Sequence, residues 1–244
     1  MPPTYSNRNQ IENIAIYALT EAGSIIAAKL AENITASKLI IPEKFKEHVL
    51  FKGTIDFFQP GNFTQKISDN WSIHKGHIFI MATGIVVRKI AIHLKNKTED
   101  PAVVVCDEKG KYAISLLSGH IGGGNRIAKF AASILKGDAV ITTATDVQGL
   151  MAFDELASTY NWQVTNPGKI KILNTMLLEG KKIAVILPET LYKKYYSFRH
   201  NIVLISSLDA LENNNFSGLV IASPLPQSPP EKLKQLEILQ IQTI

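Results

Sequence analysis

The chain has 244 residues, of which 45% are hydrophobic and 19% are charged, proportions that are ordinary for a globular protein. Its formal net charge of +5 favours acidic ligands only mildly, and no basic run is interleaved with aromatic residues as a nucleic-acid groove requires. The single cysteine, Cys106, excludes an internal disulfide framework and a cysteine-based metal cluster.

The amino-terminal segment MPPTYSNRNQ is polar and lacks the apolar core of a signal peptide. Nowhere does an apolar run approach the length that a bilayer-spanning helix needs. These observations predict a cytoplasmic protein with neither a membrane nor a nucleic acid as its partner.

The first hundred residues alternate between strand-like and helix-like runs. Strands are predicted at NIAIYAL (13–19), SKLIIP (37–42) and HIFIMATG (77–84), and helices over 25–34, around 62–70 and over IVVRKIAIHL (85–94). Ser24 is expected to cap the first helix. Val86 and Ile90 are predicted to share the buried face of the last helix, which either Val87 or Leu94 completes.

A hairpin is predicted after Pro101. The runs AVVVC (102–106) and KYAISLL (111–117) are typical of strands, and Asp107-Glu108-Lys109-Gly110 between them is typical of a tight turn. The hairpin leads directly into a glycine-rich loop.

A helix is predicted over 126–135, where apolar residues repeat with the spacing of an amphipathic helix. Asn125 is its expected N-cap, and Gly137 follows its end as the C′ residue. The run AVITTATD (139–146) predicts the next strand.

The second half of the chain has the same alternation on a smaller scale. A helix is predicted at FDELASTYNW (153–162), and a second one is capped by Asn166-Pro167 and stopped by Gly180. Three strands are predicted, at KIAVILP (182–188), NIVLISSL (201–208) and GLVIASP (218–224). We therefore predict an α/β domain over 1–149, a smaller α/β domain over 150–225 and a proline-rich linker or tail over 226–244.

The repeated order of strand, loop, helix and strand predicts an α/β fold with a largely parallel, buried sheet flanked by helices. Active sites in such sheets lie at the carboxyl ends of the strands. The loops 20–24, 82–88, 118–125 and 143–149 all follow predicted strands. We therefore expect these four loops to crowd one edge of the sheet.

The glycine-rich loop SGHIGGGN precedes a predicted helix, whose first N–H groups and dipole favour an anion. It is neither a Walker A loop, since the lysine is missing, nor a dinucleotide fingerprint, since Ile127 stands where the last glycine belongs. A tight, purely structural turn is the alternative. The candidate ligand-binding residues here are Ser118, Gly119, Gly122, Gly123, Gly124 and Asn125.

Catalytic candidates lie on the other predicted loops as well. His120 lies within the glycine-rich loop, Glu21 follows the first strand and Asp146 ends the strand over 139–146. Glu21 and Asp146 can equally be helix or turn caps. The hydroxyls of Thr143 and Thr145 are predicted to face the same edge, and Arg88 is either a carboxylate anchor or a solvated helix residue. The remaining histidines show no metal-ligand spacing, so no protein metal site is predicted.

Three stretches together resemble the cobalamin biosynthesis protein CbiG family: ATGIVVRKIAIHL (82–94), the run from Asp100 to Leu135, and AVITTATDVQG (139–149). They match the family's N-terminal domain, and 150–225 resembles its middle domain more loosely. The resemblance implies the anaerobic corrin pathway and cobalt-precorrin-5A hydrolase activity, which opens a δ-lactone and releases acetaldehyde. Cobalt would arrive with the tetrapyrrole substrate, so no cofactor is expected.

The family usually continues into a C-terminal domain with a Gly-Ile-Gly-Cys-type motif, and this chain stops about where that domain should begin. The resemblance therefore implies a separate C-terminal domain or another corrin-pathway enzyme as a partner. The alternative to an enzyme is a non-catalytic subunit that binds the corrinoid intermediate and needs that domain. A third hypothesis, a nucleotide-binding α/β enzyme, is opposed by the missing phosphate motifs.

For the hydrolysis, His120 or Glu21 is the candidate base, and the N–H groups of 122–125 are candidates to hold the oxyanion or a carboxylate. Arg88 is a candidate anchor for another carboxylate. Asp146 is the candidate base for the release of acetaldehyde. Ser118 is a weaker candidate nucleophile, because the chain has no Gly-x-Ser-x-Gly elbow.

Overall fold

A computed structural model describes residues 11–96, 99–120, 122–211, 215–225, 233 and 236–243. The chain divides into two compact units, Met1–Ile141 and Thr142–Ile244. The boundary predicted at 149/150 therefore remains a prediction. Within the predicted linker, 226–232, 234–235 and 244 lie outside the described residues. In the described part of the chain, no helix is both long enough and apolar enough to cross a membrane.

The first unit is a parallel-type α/β sandwich. Its strands are β1 (Ile14–Ala18), β2 (Lys38–Pro42), β3 (Thr54–Phe58), β4 (Gly76–Ile80), β5 (Ala102–Cys106), β6 (Tyr112–Leu117) and β7 (Asp138–Val140). Its helices are α1 (Glu21–Ala31), α2 (Phe63–Asn70), α3 (Thr83–Ile90) and α4 (Gly124–Leu135), with 3-10 turns at Glu43–His48 and Ala91–His93. The predicted α/β class is confirmed, and β3 is a strand that the sequence analysis missed.

One antiparallel pair reverses part of the sheet. The strand order is β3-β2-β1-β4-β5-β6-β7, and every neighbouring pair is parallel except β5 and β6. The predicted hairpin turn over 107–110 makes this reversal, with the Gly110 N–H bonded to the Asp107 carbonyl at 2.9 Å. Because β7 is parallel to β6, both strands end where β1 to β5 begin.

We call the side of the sheet where β1 to β5 begin the amino edge, and the side where they end the carboxyl edge. The loops 20–24 and 82–88 follow β1 and β4 and lie at the carboxyl edge. The loop 118–125 follows β6 and lies at the amino edge. The expectation that these loops crowd one edge is therefore wrong, and the loop 143–149 belongs to the second unit.

The start of α1 differs from the prediction. Thr20, not Ser24, is the N-cap, and its Oγ1 accepts a hydrogen bond from the Gly23 N–H at 3.1 Å. Ser24 is buried one turn into the helix, where its hydroxyl donates to the Thr20 carbonyl at 2.7 Å. Thr20 and Ser24 both carry the hydroxyl that an N-cap needs, so the residue type does not distinguish them. In the structure the helix begins after Thr20.

Both faces of the first sheet are covered by helices, as the near-continuous apolar strands predicted. Alternate residues of β1 point to opposite faces of the sheet and belong to two different hydrophobic cores. Ile14 and Ile16 pack beneath α1 and α4, and Tyr17 packs beneath α2 and α3. Val86 and Ile90 bury one face of α3, as predicted. Val87 and Leu94 are 47% and 42% exposed, so neither completes that face.

A buried histidine lies in the core beneath α2. The His77 side chain is shielded from solvent, its Nδ1 is 3.1 Å from the Tyr17 hydroxyl, and its Nε2 is 3.2 Å from the Trp71 carbonyl. The ring stacks on Trp71 with centroids 5.0 Å apart. Burial lowers the pKa of His77 to about 3, because the desolvated site disfavours the imidazolium.

We expect the first unit to lose stability as the pH falls below about 6.5. The unfolded chain protonates His77 near its ordinary pKa of 6.5, whereas the folded chain resists protonation until about pH 3. The stabilising effect is therefore complete above pH 6.5, and roughly 3 kcal/mol of it is lost by pH 4. Denaturant titrations at several pH values, followed by Trp71 fluorescence in a Trp162→Phe background, measure this slope.

The control variant for that prediction is His77→Phe, which keeps an aromatic ring and removes the titrating group. It should be less stable at pH 7, because the Tyr17 hydroxyl loses its partner. Its stability should nevertheless change less between pH 6.5 and pH 4. An equal slope in both proteins would contradict the assignment to His77.

The second unit is a smaller α/β layer. Its helices are α5 (Ala144–Val147), α6 (Phe153–Thr159), α7 (Ile170–Leu178) and α8 (Glu189–Tyr195). Its strands are β8 (Gln163–Val164), β9 (Ile183–Ile186), β10 (Ile202–Leu204), β11 (Gly218–Ser223) and β12 (Glu237–Gln242). They form a sheet of order β10-β9-β11-β12-β8, in which the β12–β8 pair alone is antiparallel among these described strands.

Two features of this unit differ from the prediction. Residues 237–242 form β12, which pairs with β11 along its whole length, so this stretch is a strand rather than a tail. Asn166 makes no side-chain bond to the helix after it. Instead its amide bridges to β12, accepting from the Gln240 N–H and donating to the Ile238 carbonyl, both at 2.9 Å. Gly180, at φ 69°, ends α7 as predicted.

Candidate functional site at the amino edge

The glycine-rich loop connects β6 to α4 at the amino edge. Its N–H groups turn inward: Gly123 donates to the His120 carbonyl at 2.9 Å, Gly124 to Ser118 at 3.0 Å and Asn125 to Gly119 at 2.9 Å. These three N–H groups are therefore occupied by the loop itself. In this conformation these three groups are not available to an oxyanion or a carboxylate, and the role predicted for the Gly122 N–H stays a prediction.

The glycines are explained by the tightness of the turn. Gly123 has φ 81° and is the N-cap of α4, so Asn125 is a residue of the first turn and not the predicted cap. A Cβ on Gly124 would lie 2.6 Å from the Leu117 carbonyl oxygen, closer than real contacts allow. The alternative of a tight structural turn accounts for both positions.

Ser118 ties the loop to the strand beside it. It has φ 52°, and its hydroxyl donates to the Asp100 carbonyl at 2.8 Å, just before β5 begins. This bond gives Ser118 a structural role. Because the hydroxyl proton is donated to a backbone carbonyl, no general base takes it up in this conformation.

His120 and Arg126 flank the turn. His120 is half-buried, and its carbonyl accepts the Gly123 N–H. Arg126 is exposed in the first turn of α4, and its Nη2 lies 3.5 Å from the point that a Cβ on Gly123 would occupy. The sequence analysis missed Arg126. Its position directly after the predicted N-cap could have indicated that its side chain lies beside the loop.

Glu21 and Arg88 lie at the carboxyl edge, in the first turn of α1 and on α3. Glu21 pairs with His48, with Oε1 and Nδ1 3.0 Å apart, and both side chains are about half exposed. Arg88 is exposed, and its Nη1 donates to the Gly84 carbonyl of its own helix at 2.9 Å. A five-residue strand such as β4 spans roughly 16 Å. Glu21 and Arg88 therefore cannot act on the same bond as His120.

The carboxyl edge is rich in carboxyl groups. The Thr20 hydroxyl donates to Glu108 Oε1 at 2.7 Å, which places the hairpin turn beside Glu21. Burial raises the pKa of Asp107, but backbone N–H bonds from Tyr112 and Lys109 outweigh it, and the pKa is lowered overall. Asp107 is therefore ionised at neutral pH.

Three predicted residues belong to the second unit. The predicted strand over 139–146 is only β7 at its start, and Thr143 precedes the one-turn helix α5. The Thr143 hydroxyl donates to Asp146 Oδ2 at 2.6 Å, and Thr145 is buried. A carboxylate oxygen of Asp146 lies within 4.8 Å of one of Glu155, a neighbour that the sequence analysis missed.

Comparison with known proteins places the chain among proteins of cobalamin synthesis. The family model described as cobalamin synthesis G N-terminal matches residues 65–146, and the model described as cobalamin biosynthesis central region matches residues 151–232. The first match includes the whole glycine-rich loop.

Two curated relatives are similar to this chain in sequence. A cobalt-precorrin-5A hydrolase of Salmonella typhimurium is 38% identical over 71% of this chain and 48% of its own length. One of Priestia megaterium is 34% identical over 85% of this chain and 56% of its own length. The chain thus spans about half the length of the curated relatives it matches.

Among solved structures, a cobalamin biosynthesis protein G homolog from Sulfolobus solfataricus matches 95% of this chain and 60% of its own. The two are 23% identical, and the TM-score is 0.49.

Proposed function

The chain belongs to the CbiG family of cobalamin biosynthesis proteins, and from this premise we propose that it is a cobalt-precorrin-5A hydrolase. The observation that carries the proposal is its 34–38% identity to two curated relatives that bear this name. The reaction opens the δ-lactone of the substrate by adding water and then releases a two-carbon unit as acetaldehyde.

We place the reaction at the amino edge. A tetrapyrrole precursor of this kind carries several acetate and propionate groups, so it is a polyanion at neutral pH. His120 and the exposed cation Arg126 lie beside the glycine-rich loop at the amino edge.

His120 is the proposed general base for the lactone. Its imidazole takes a proton from water as the water oxygen bonds to the lactone carbonyl carbon. The tetrahedral intermediate then collapses, and the C–O ester bond breaks. The imidazolium returns the proton to the departing ring oxygen, so the products are a carboxylic acid, which ionises, and a free hydroxyl.

Asp146 is the proposed base for the second step. This step resembles a retro-aldol cleavage: the freed hydroxyl loses its proton, a C–C bond breaks and acetaldehyde departs. The macrocycle takes up the electron pair of that bond. The Thr143 hydroxyl, which donates to Asp146 Oδ2, holds the carboxylate in one orientation. In this proposal cobalt belongs to the substrate, and the protein supplies acid–base groups only.

The second candidate is a corrinoid-binding subunit that requires another polypeptide for turnover. The chain spans about half the length of its curated relatives, and the name hydrolase belongs to those whole proteins. The partner would then be a protein that carries the remainder of such a relative.

Acetaldehyde release from cobalt-precorrin-5A under anaerobic conditions tests both candidates. The assay is run with this chain alone and with the unmatched portion of a relative added as a separate polypeptide. Release by the chain alone supports the hydrolase. Release only after the addition supports the binding subunit, and no release in either case, with no substrate binding, contradicts both.

A further inference from the structure

We propose that Arg126 binds a peripheral carboxylate of the substrate and thereby selects free-acid corrinoids, an inference that rests on the proposed function. The site does not depend on the N–H groups of α4, because the loop carbonyls already accept them. It depends on the Arg126 guanidinium, which lies next to Gly123.

The guanidinium lies close to the backbone of the loop. Gly123 carries no side chain, and Arg126 Nη2 lies 3.5 Å from the point where its Cβ would be. The Gly123 N–H closes a turn with the His120 carbonyl. His120 and Arg126 thus lie on either side of one turn in the chain.

The Arg126 guanidinium has neither an ion pair nor a hydrogen bond within the part of the chain that the structure describes. Two other cations at the amino edge have ion-pair partners: Lys75 pairs with Glu12 at 2.6 Å and Lys95 with Glu99 at 3.5 Å. A carboxylate that approaches the turn therefore meets Arg126 without displacing an existing ion pair.

Arginine is suited to this task because its planar fork donates two parallel hydrogen bonds to one carboxylate. Lysine keeps the charge but not the fork. An uncharged ester in place of the carboxylate would lose the charge-assisted bonds. Selection between acid and ester is therefore the property that distinguishes recognition by Arg126 from general attraction to the ring.

The experiment uses a cobalt corrin in two matched forms, one with free acetate and propionate groups and one with these groups as methyl esters. Both forms carry two cyanide ligands, so His120 cannot coordinate the cobalt. Equilibrium dialysis with corrin absorbance measures the affinity of the full chain. We expect wild type to bind the acid at least about 10-fold more tightly than the ester.

The expected effect of Arg126→Ala is a loss of about 10- to 30-fold in affinity for the acid and less than about 2-fold for the ester. Arg126→Lys should recover part of the loss, because it restores the charge alone. Lys46→Ala is the control. It removes an exposed cation of the same unit at the opposite edge and should leave both affinities unchanged.

The outcomes separate this inference from the proposed function. If wild type selects the acid and Arg126→Ala binds it equally well, the role of Arg126 is refuted while the hydrolase remains. If wild type binds neither form, the corrinoid site fails and Arg126 with it. An equal loss for acid and ester would also refute carboxylate recognition, and thermal melts of each variant exclude unfolding as the cause.

Discussion

His120→Asn is expected to lower acetaldehyde release by roughly 100- to 10,000-fold, the usual range for removal of a general base. Asparagine keeps a polar side chain of similar reach but cannot accept and return a proton at neutral pH. The half-buried position on a turn fixed by its own hydrogen bonds indicates that the substitution leaves the fold intact. Single-turnover kinetics at saturating substrate measure the chemical step.

Glu21→Gln is the matched comparison, because Glu21 is the rival base from the sequence analysis. It lies at the carboxyl edge in an exposed pair with His48. We expect its turnover to stay within about 2-fold of wild type, since exposed ion pairs contribute little to stability. The reverse pattern, with Glu21→Gln inactive and His120→Asn active, would move the active site to the carboxyl edge.

Gly137→Ala is expected to destabilise the first unit by about 3–5 kcal/mol. A Cβ on Gly137 would lie 2.2 Å from the Gly110 carbonyl oxygen and 2.6 Å from that of Lys111. Both obstacles are backbone atoms, so no side-chain rotation relieves them. The alanine must push α4 and the start of β7 away from the hairpin, which breaks the bond from the Asp138 N–H to the Lys111 carbonyl.

Denaturant titration in the Trp162→Phe background measures this loss through Trp71. Gly84→Ala is the control, because its Cβ would meet only the flexible end of Arg88. In the first turn of α3 the alanine should be neutral or stabilise by up to about 1 kcal/mol. Equal stability of Gly137→Ala and Gly84→Ala would contradict the prediction. It would show that the backbone moves away from the new methyl group with little loss of stability.

Gly137 also shows how a correct prediction can have a different physical basis. The residue follows α4 at C′, as predicted, but Lys136 is the residue with left-handed backbone, at φ 58°. The glycine is needed for close approach of two backbones and not for its own φ. A pattern of local residues does not distinguish these reasons, because the hairpin that approaches is more than twenty residues away.

The sequence by itself determined the α/β class and most of the strands and helices, because these depend on local apolar periodicity and turn residues. The runs NIAIYAL and AVVVC each contain a five-residue strand, and the hairpin between 106 and 112 is where its turn residues predicted it. The strand β3, TIDFF, was missed because Asp56 interrupts its apolar run. Only the tertiary contacts of Asp56 with Lys38 and Lys66 make that carboxylate acceptable in the sheet.

The tertiary structure alone decided which loops share an edge of the sheet. The hairpin reverses the direction of the chain, so the loop after β6 lies opposite the loops after β1 and β4, and His120 is separated from Glu21 and Arg88. It likewise decided that the loop's own carbonyls take the N–H groups of 123–125, which leaves anion recognition to side chains. Strand direction and hydrogen-bond pairing are relations between distant segments, and local residue patterns carry no direct record of them.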